Sequence, residues 1–409
     1  MKIKKNKLRI LFICQNFWPE NFRSTDVVEN LIQNGNHVEI ITSNPNYPEG
    51  KIYKGYNWYN WSTEIYNKKI KVHRVPTIPR GKSNYFFILI NYVAFIIFGT
   101  LFGFLKLRKN NFDIVLVFAA SPIFQVIVGY FMKLFFKTKL VTWVQDIWPE
   151  NLHALNIIKN KYLLNFINIL TTLTYNLSDV LIGQSESFKK ILKKRSNKKT
   201  YFIPNYSENF KFNNSVKRQQ NNKYFNLVYA GNVGKAQNLL TLIKASKKVR
   251  NKKRLLIKIF GDGVELRKLK KFINDNDLKN IKLFGKVSRE RMYLEYKKAN
   301  ALYISLNKNK FLNYTIPSKL QTYLIMSKPI IASAGGEIEK IIYKSKAGYC
   351  SKPENVNLLA ENLNKILSCK KEQLKIFEKN AKKFYEQNYS STKITHNMMI
   401  ILNKYKKNV

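Results

Sequence analysis

Residues 8–42 read LRILFICQNFWPENFRSTDVVENLIQNGNHVEIIT, and the order of patterns in this stretch decides the fold. Leu8–Cys14 is an apolar, β-branched run of strand character. A loop follows through Arg23. Asp26–Asn34 has helical spacing, with Ser24 or Thr25 as its cap and Gly35 as its stop. His37–Thr42 is a second strand. Strand, loop, helix and strand in so short a span make a βαβ unit, which implies a parallel sheet. The basic Met1–Arg9 segment leads into this strand. The run Ile10–Cys14 is too short, and meets Gln15, Asn16, Trp18 and Pro19, so it does not read as a secretory signal.

Working outward, Asp113–Phe118, Leu140–Val144 and Val180–Gln184 are expected as further strands, apolar as a sheet covered on both faces requires. Glu208–Asn226 has no apolar period and reads as a linker. A second series begins with the strand Phe225–Ala230 and the turn Gly231–Gly234. A helix over Leu239–Val249 and the strand Leu255–Phe260, closed by Gly261-Asp262-Gly263, follow. Ile281–Phe284, Ala301–Leu306 and Pro329–Ser333 are further strands, with a helix over Ser318–Met326. Helical patterns at Asn357–Leu367, Lys371–Tyr385 and Thr392–Tyr405 close the chain. The expected fold class is α/β, two Rossmann-like doubly wound domains facing a cleft. The expected division is 1–207, then 222–385, then a helix over 386–409 that returns to the first domain. In such sheets ligands bind beyond the carboxyl ends of the strands, so chemistry is sought in those loops.

Composition narrows the function classes. The 409 residues are 45% hydrophobic and 14% aromatic, which excludes a disordered or collagen-like chain. Seventy-two Lys and Arg against 25 acids give a formal charge of +47. Such a field favours anionic partners. The basic residues are spread over the whole length, which compositional bias towards Lys, Asn and Ile also produces. No nucleic-acid-binding module with a basic stripe and interleaved aromatics is recognisable, so nucleic acid is not an expected partner. Cys14, Cys350 and Cys369 are scattered, with no metal or disulfide spacing. No cofactor and no metal are expected.

Tyr85–Leu105 contains no charge, between Arg80 and Lys82 on one side and Lys106, Arg108 and Lys109 on the other. As a helix it is about 32 Å long, enough to cross a bilayer. Strands of one sheet on both sides of it argue against a crossing. The alternatives are packing on the sheet, lying in the membrane interface, or re-entry. Basic flanks would sit among anionic headgroups.

Three motifs carry candidate chemistry. Gly231-Asn232-Val233-Gly234-Lys235 lies between a strand and a helix, where backbone N–H groups and a helix N-terminus favour a phosphate; an ordinary βα turn is the alternative. It is neither the dinucleotide fingerprint nor a Walker loop. Thr315-Ile316-Pro317-Ser318-Lys319 opens a helix, and its hydroxyls and Lys319 suit a diphosphate. Trp143–Glu150 follows a strand, and two Trp beside Gln145, Asp146 and Glu150 suit a sugar; core packing and capping are the alternatives. His37 and His73 read as structural, and His153 as a weak candidate. Asp275-Asn276-Asp277 reads as a solvated turn.

Together these segments resemble the family 4 glycosyltransferases of the GT-B fold, in the branch found in bacterial O-antigen and capsule clusters. The specific strings are Asn44-Pro45-Asn46-Tyr47-Pro48 and Trp143–Glu150. Asn16–Arg23, Tyr229–Gln237 and Ile316–Pro329 with Gly335-Gly336-Glu337 extend the likeness over nearly the whole chain. The resemblance implies a retaining, metal-independent hexosyltransferase. Its donor would be a nucleotide-diphosphate sugar, with UDP and an N-acetylated hexosamine or deoxyhexosamine expected. Its acceptor would be a polyprenyl-diphosphate-linked or glycan chain at the cytoplasmic face of the bacterial inner membrane, held there as a peripheral or monotopic protein. The family's two glutamates fall on Tyr314 and Thr322, its arginine on Asn232, and its histidine on Gln145. Catalysis is therefore assigned to Asp146, Gln145, Glu150 and Lys319. The donor and its diphosphate are assigned to Gly231, Asn232, Gly234, Lys235, Gln237, Thr315, Ser318, Gln321, Glu337 and Arg23. The base is placed at Gly261, Asp262, Gly263, Lys286 and Val287. A hinge near Asn205–Asn226 is expected. A GT-B nucleotide-sugar epimerase is the alternative, and a basic nucleic-acid-binding protein a more distant one.

Overall fold

The computed structural model describes residues 7–81, 85–154, 158–205 and 223–407. The chain divides into two units, Met1–Pro204 with Ser391–Val409, and Asn205–Ser390. Most of the expected linker and hinge falls on residues 206–222, outside the described residues.

The first unit holds an eight-stranded sheet: β1 (Arg9–Ile13), β2 (His37–Ser43), β3 (Ser62–Tyr66), β4 (Ile70–Val75), β5 (Ile114–Ala119), β6 (Lys139–Val144), β7 (Val180–Gly183) and β8 (Lys199–Phe202). Their order is β3-β4-β2-β1-β5-β6-β7-β8. All pairs are parallel except β3–β4, an antiparallel hairpin that the sequence reading missed. Its helices are α1 (Arg23–Gln33), α2 (Tyr85–Lys106), α3 (Val126–Phe135), α4 (Glu150–Ala154), α5 (Lys161–Leu177) and α6 (Glu186–Arg195). Helix α1 begins earlier than its spacing suggests, and Phe22 is its cap position. The Ser24 hydroxyl instead donates to the Asn16 carbonyl, at 2.8 Å. Gly35 stops the helix at φ +89°.

The second unit holds a fully parallel six-stranded sheet: β9 (Phe225–Ala230), β10 (Leu255–Phe260), β11 (Ile281–Gly285), β12 (Ala301–Ser305), β13 (Ile330–Ser333) and β14 (Gly348–Ser351). The order is β11-β10-β9-β12-β13-β14. Around it lie α7 (Leu240–Lys247), α8 (Leu266–Asp275), α9 (Arg289–Lys298), α10 (Ser318–Ile325), α11 (Glu337–Ser345), α12 (Val356–Ser368) and α13 (Lys371–Asn388). Apolar side chains fill both faces: Leu227, Tyr229 and Ile257 on one, Val228, Leu302 and Ile304 on the other. The last helix, α14 (Ser391–Tyr405), belongs to the first unit and packs on α1.

Helix α2 packs on β2, β4 and α3. It buries Asn91, Ala94, Phe95 and Phe102, and Trp61 stacks on Phe102. Its phenylalanines are therefore divided, some packed inward and others, such as Phe86, facing out. His73 is buried in β4, between Glu39 and Thr63. Asp275-Asn276-Asp277 is a turn at the end of α8, with Asp277 exposed at φ +44°.

Candidate functional site

In the second unit the loops after β9 and β10 are joined by backbone hydrogen bonds. Gly231 N–H donates to the Phe260 carbonyl, Val233 N–H to the Asp262 carbonyl, and Gly261 N–H to the Gly285 carbonyl. This approach requires glycine. Gly261 sits at φ +132°, and a Cβ there would lie 1.9 Å from the Gly231 carbonyl oxygen. Beyond these loops, at the carboxyl ends of β9, β10 and β11, opens a cavity of about 530 Å³. Its rim is Gly231, Asn232, Gly261, Asp262, Lys286 and Val287, and Phe260, Met292 and Tyr296 add an apolar wall. The volume is that of a small-molecule site. Gly263 is not part of this lining.

Lys319, in the first turn of α10, is brought against this glycine loop from 88 residues away. A Cβ on Gly231 would stand 2.7 Å from its Nζ. The ammonium donates to Tyr229 Oη at 2.8 Å and lies 4.1 Å from that ring's centroid. Tyr229 Oη donates in turn to the Asn232 carbonyl at 2.5 Å. Burial lowers the Lys319 pKa to about 7. Helix α7 starts at Leu240, one residue from the expected Leu239, and α10 also reaches the glycine loop through Lys319.

The other assigned residues occupy distinct places. Asn232 Nδ2 reaches Gln237 Oε1 at 3.5 Å within the loop. Gly234 lies buried beside Asn232. Lys235 is exposed, and its carbonyl accepts from Asn307 at 3.3 Å. Thr315 donates its hydroxyl to the Leu312 carbonyl at 2.9 Å, and Ser318 is the exposed first residue of α10. Glu337 opens α11, buried, with Lys340 3.4 Å away. Gly336 before it fits directly against Asn313, where a Cβ would be 2.1 Å from the carbonyl oxygen. Gln321 corrects the sequence reading: it is fully buried, not on the cavity rim, and neither amide atom has a hydrogen-bond partner.

In the first unit the specific strings all lie at carboxyl ends of strands. Asp146, after β6, is held by the Ser121 backbone N–H, and burial raises its pKa to about 6. Gln145 is buried beside it; its N–H donates to the Ala119 carbonyl and its own carbonyl accepts from Gln184. Glu150 is ion-paired to Arg195, which also donates to the Trp148 carbonyl. The pair holds the Trp148 loop. Trp143 is 2% exposed, its indole bonded to the Ile203 carbonyl and its ring edge-on to Phe118. It is a core residue, not a sugar platform. Trp148 remains half-buried, bonded to Ser121. The His153 side chain lies outside the described residues. Arg23 is the first residue of α1, partly exposed.

Two charged residues that the sequence reading passed over organise this end of the sheet. The buried Glu20 carboxylate accepts the Asn46 and Tyr47 N–H groups at 2.8 and 2.7 Å, and Asn16 Nδ2 at 3.0 Å. It ties the Asn16–Arg23 loop to Asn44–Pro48, and burial raises its pKa. Arg74 is fully buried in β4; it donates to Glu64, to the Ser43 carbonyl at 3.1 Å, and to the Trp18 carbonyl. A charged residue among the valines of a strand was the available signal.

With this geometry in view, residues 209–384 match the sequence model of the family Glycosyl transferases group 1. The chain is similar to the putative colanic acid biosynthesis glycosyl transferase WcaI of Escherichia coli K12, 23% identical over 386 residues, spanning 88% of this chain and 92% of that one. Among solved structures it resembles sucrose-phosphate synthase from Thermosynechococcus elongatus, with TM-score 0.72 and 13% identity over 97% and 99% of the two chains. It also resembles Anabaena HepE in complex with UDP, with TM-score 0.67 and 12% identity over 97% and 100%. These likenesses give the GT-B fold.

Proposed function

From the match of residues 209–384 to the glycosyl transferases group 1, we propose that the chain moves a sugar from a nucleoside-diphosphate donor to a lipid-linked or glycan acceptor of bacterial surface polysaccharide synthesis. UDP is the proposed nucleotide, supported by the UDP complex of the Anabaena neighbour. The polysaccharide setting is supported by the colanic acid assignment of the WcaI relative.

The observation that carries the reading is Lys319 against the Gly231 loop at the edge of the cavity. The base would sit against Lys286 and Val287, with the diphosphate at Gly231, Asn232 and Lys319. As the bond from the anomeric carbon to the phosphate oxygen breaks, its electron pair leaves with the diphosphate. A preorganised ammonium and backbone dipoles stabilise that charge without reorganising. The acceptor hydroxyl forms the new bond with retention of configuration, and its proton passes to the departing phosphate oxygen. The acceptor is assigned to the first unit, where Asp146 is the candidate partner for its hydroxyl. No metal ion is invoked in these steps. Helix α2 would hold the protein on the cytoplasmic face of the inner membrane.

A thermal-shift panel of intact nucleotide sugars tests the reading, since a ligand that binds only the folded state raises the melting temperature. One nucleotide sugar is expected to shift the transition, and Lys319→Met to abolish that shift at the same concentration. A flat panel across all bases, with the protein folded, would discard the donor assignment.

A further inference from the structure

Helix α2 is one member of a layer. Right-handed crossovers place α2, α3, α5 and α6 on the same side of the first sheet, and each packs on the next. The outward side of this layer is apolar where a domain in water presents polar residues. On α2 the exposed stripe is Phe86, Leu89, Val93, Ile97, Leu101 and Leu105, recurring every three or four residues. Helix α3 adds Phe131, Leu134 and Phe135.

Helix α5 is the most informative: its inner face buries Thr171 and Thr174 beside Tyr175, while several of its large apolar side chains face out. The two threonine hydroxyls are bonded to backbone carbonyls. Phe166, Ile169 and Leu173 face outward, 57%, 59% and 60% exposed. A helix facing water presents polar residues where Phe166, Ile169 and Leu173 stand. Helices α2, α3 and α5 contain no Asp or Glu. The border is basic: Arg108 and Lys109 after α2, Lys137 after α3, and exposed Lys190, Lys193 and Lys194 on α6. Two copies face to face would oppose basic border to basic border, whereas anionic headgroups complement it.

We propose that α2, α3 and α5 together form one docking plane for an anionic phospholipid bilayer, the helices lying in the interface and the α6 lysines on the headgroups. This deepens the membrane reading given for α2 and rests on it. The plane fixes how the first domain faces the bilayer, which a single helix leaves free to rotate.

Sedimentation of the full chain with phosphatidylglycerol-rich vesicles, against phosphatidylcholine alone, tests the proposal. The variant Phe166→Ser/Ile169→Asn/Leu173→Ser leaves α2 intact. Its partitioning into anionic vesicles is expected to fall about a hundredfold. Lys190→Glu/Lys193→Glu/Lys194→Glu is expected to lose at least about tenfold, chiefly at low salt. Retention of the nucleotide-sugar thermal shift checks that either variant is folded; should the triple variant fail it, the single variants Phe166→Ser and Leu173→Ser are compared instead. Undiminished pelleting of the α5 variant, with release of Phe86→Ser/Val93→Ser/Ile97→Ser, would overturn the plane and leave α2 as the membrane contact. Failure of the unmodified protein to pellet with either vesicle would remove both. A dimer by light scattering that the α5 variant splits, without pelleting, would assign the face to a second copy and overturn the proposal.

Discussion

With the donor diphosphate placed at Lys319 as proposed, donor binding is expected to be a proton-linked event. In the free protein the Lys319 pKa is about 7, because burial penalises the cation. A diphosphate beside it would favour the cation and raise that pKa. At pH 8 only about one molecule in ten carries the proton before binding. Binding then draws close to one proton from solution. The affinity is fully present below pH 7 and falls as pH rises through that value, by about tenfold, or 1.4 kcal/mol, per pH unit until the bound-state pKa is reached. Calorimetric titration with an intact nucleotide sugar at pH 8, in buffers of different ionisation enthalpy, counts the protons directly. An intact nucleotide sugar is the right ligand, since its doubly esterified diphosphate does not titrate near neutrality. Lys319→Met is expected to take up none and to bind about a hundredfold more weakly. Uptake near zero in the unmodified protein, or equal uptake in the Met variant, would refute the placement of the diphosphate at this amine.

Gly261→Ala forces a Cβ to 1.9 Å from the Gly231 oxygen at φ +132°. It is expected to cost about 3 kcal/mol in urea denaturation. Gly285→Ala, at φ +67° in open space, is the control and costs about 1 kcal/mol. Arg74→Met leaves Glu64 and two carbonyls without their cation, and is expected to destabilise the chain by about 3–5 kcal/mol in the same assay. Asp146, with its pKa raised to about 6, sets an acid limb: kcat/KM should fall as pH drops through 6 and the carboxylate protonates. Asp146→Asn should flatten that limb and lower kcat/KM about a hundredfold in steady-state assays.

Most strands of the two sheets were legible because buried parallel strands are short apolar runs; the edge strands β8 and β14, only half-buried, were not. Phe225–Ala230 and Leu255–Phe260 read to the residue. The hairpin β3–β4 was not, because Ser62–Tyr66 is half polar and Arg74 sits among valines. Its meaning appears only when Trp18, Ser43 and Glu64 arrive around it. The motif loops were legible by their residue types, but the side-chain roles within them were not. Trp143 and Trp148 look alike in sequence, and only depth in the sheet separates a core ring from a half-buried one. Glu150 looks like Asp146 until Arg195 is seen to claim it. The outward apolar stripe of α5 was overlooked for a different reason. Spacing marks an amphipathic helix but does not say which stripe faces the sheet, and here the threonines do.

Helix α14 bears on the order of assembly during synthesis. It packs on α1, Tyr405 meets Tyr201 at 3.0 Å, and the Lys407 N–H donates to the Asp113 carbonyl at 2.8 Å. These contacts complete the amino-terminal unit, yet they are translated after the whole of the carboxyl-terminal one. A ribosome therefore carries the earlier sheet with one flank uncovered for nearly half of elongation, and a nascent chain arrested before residue 391 exposes that flank to chaperones or proteases.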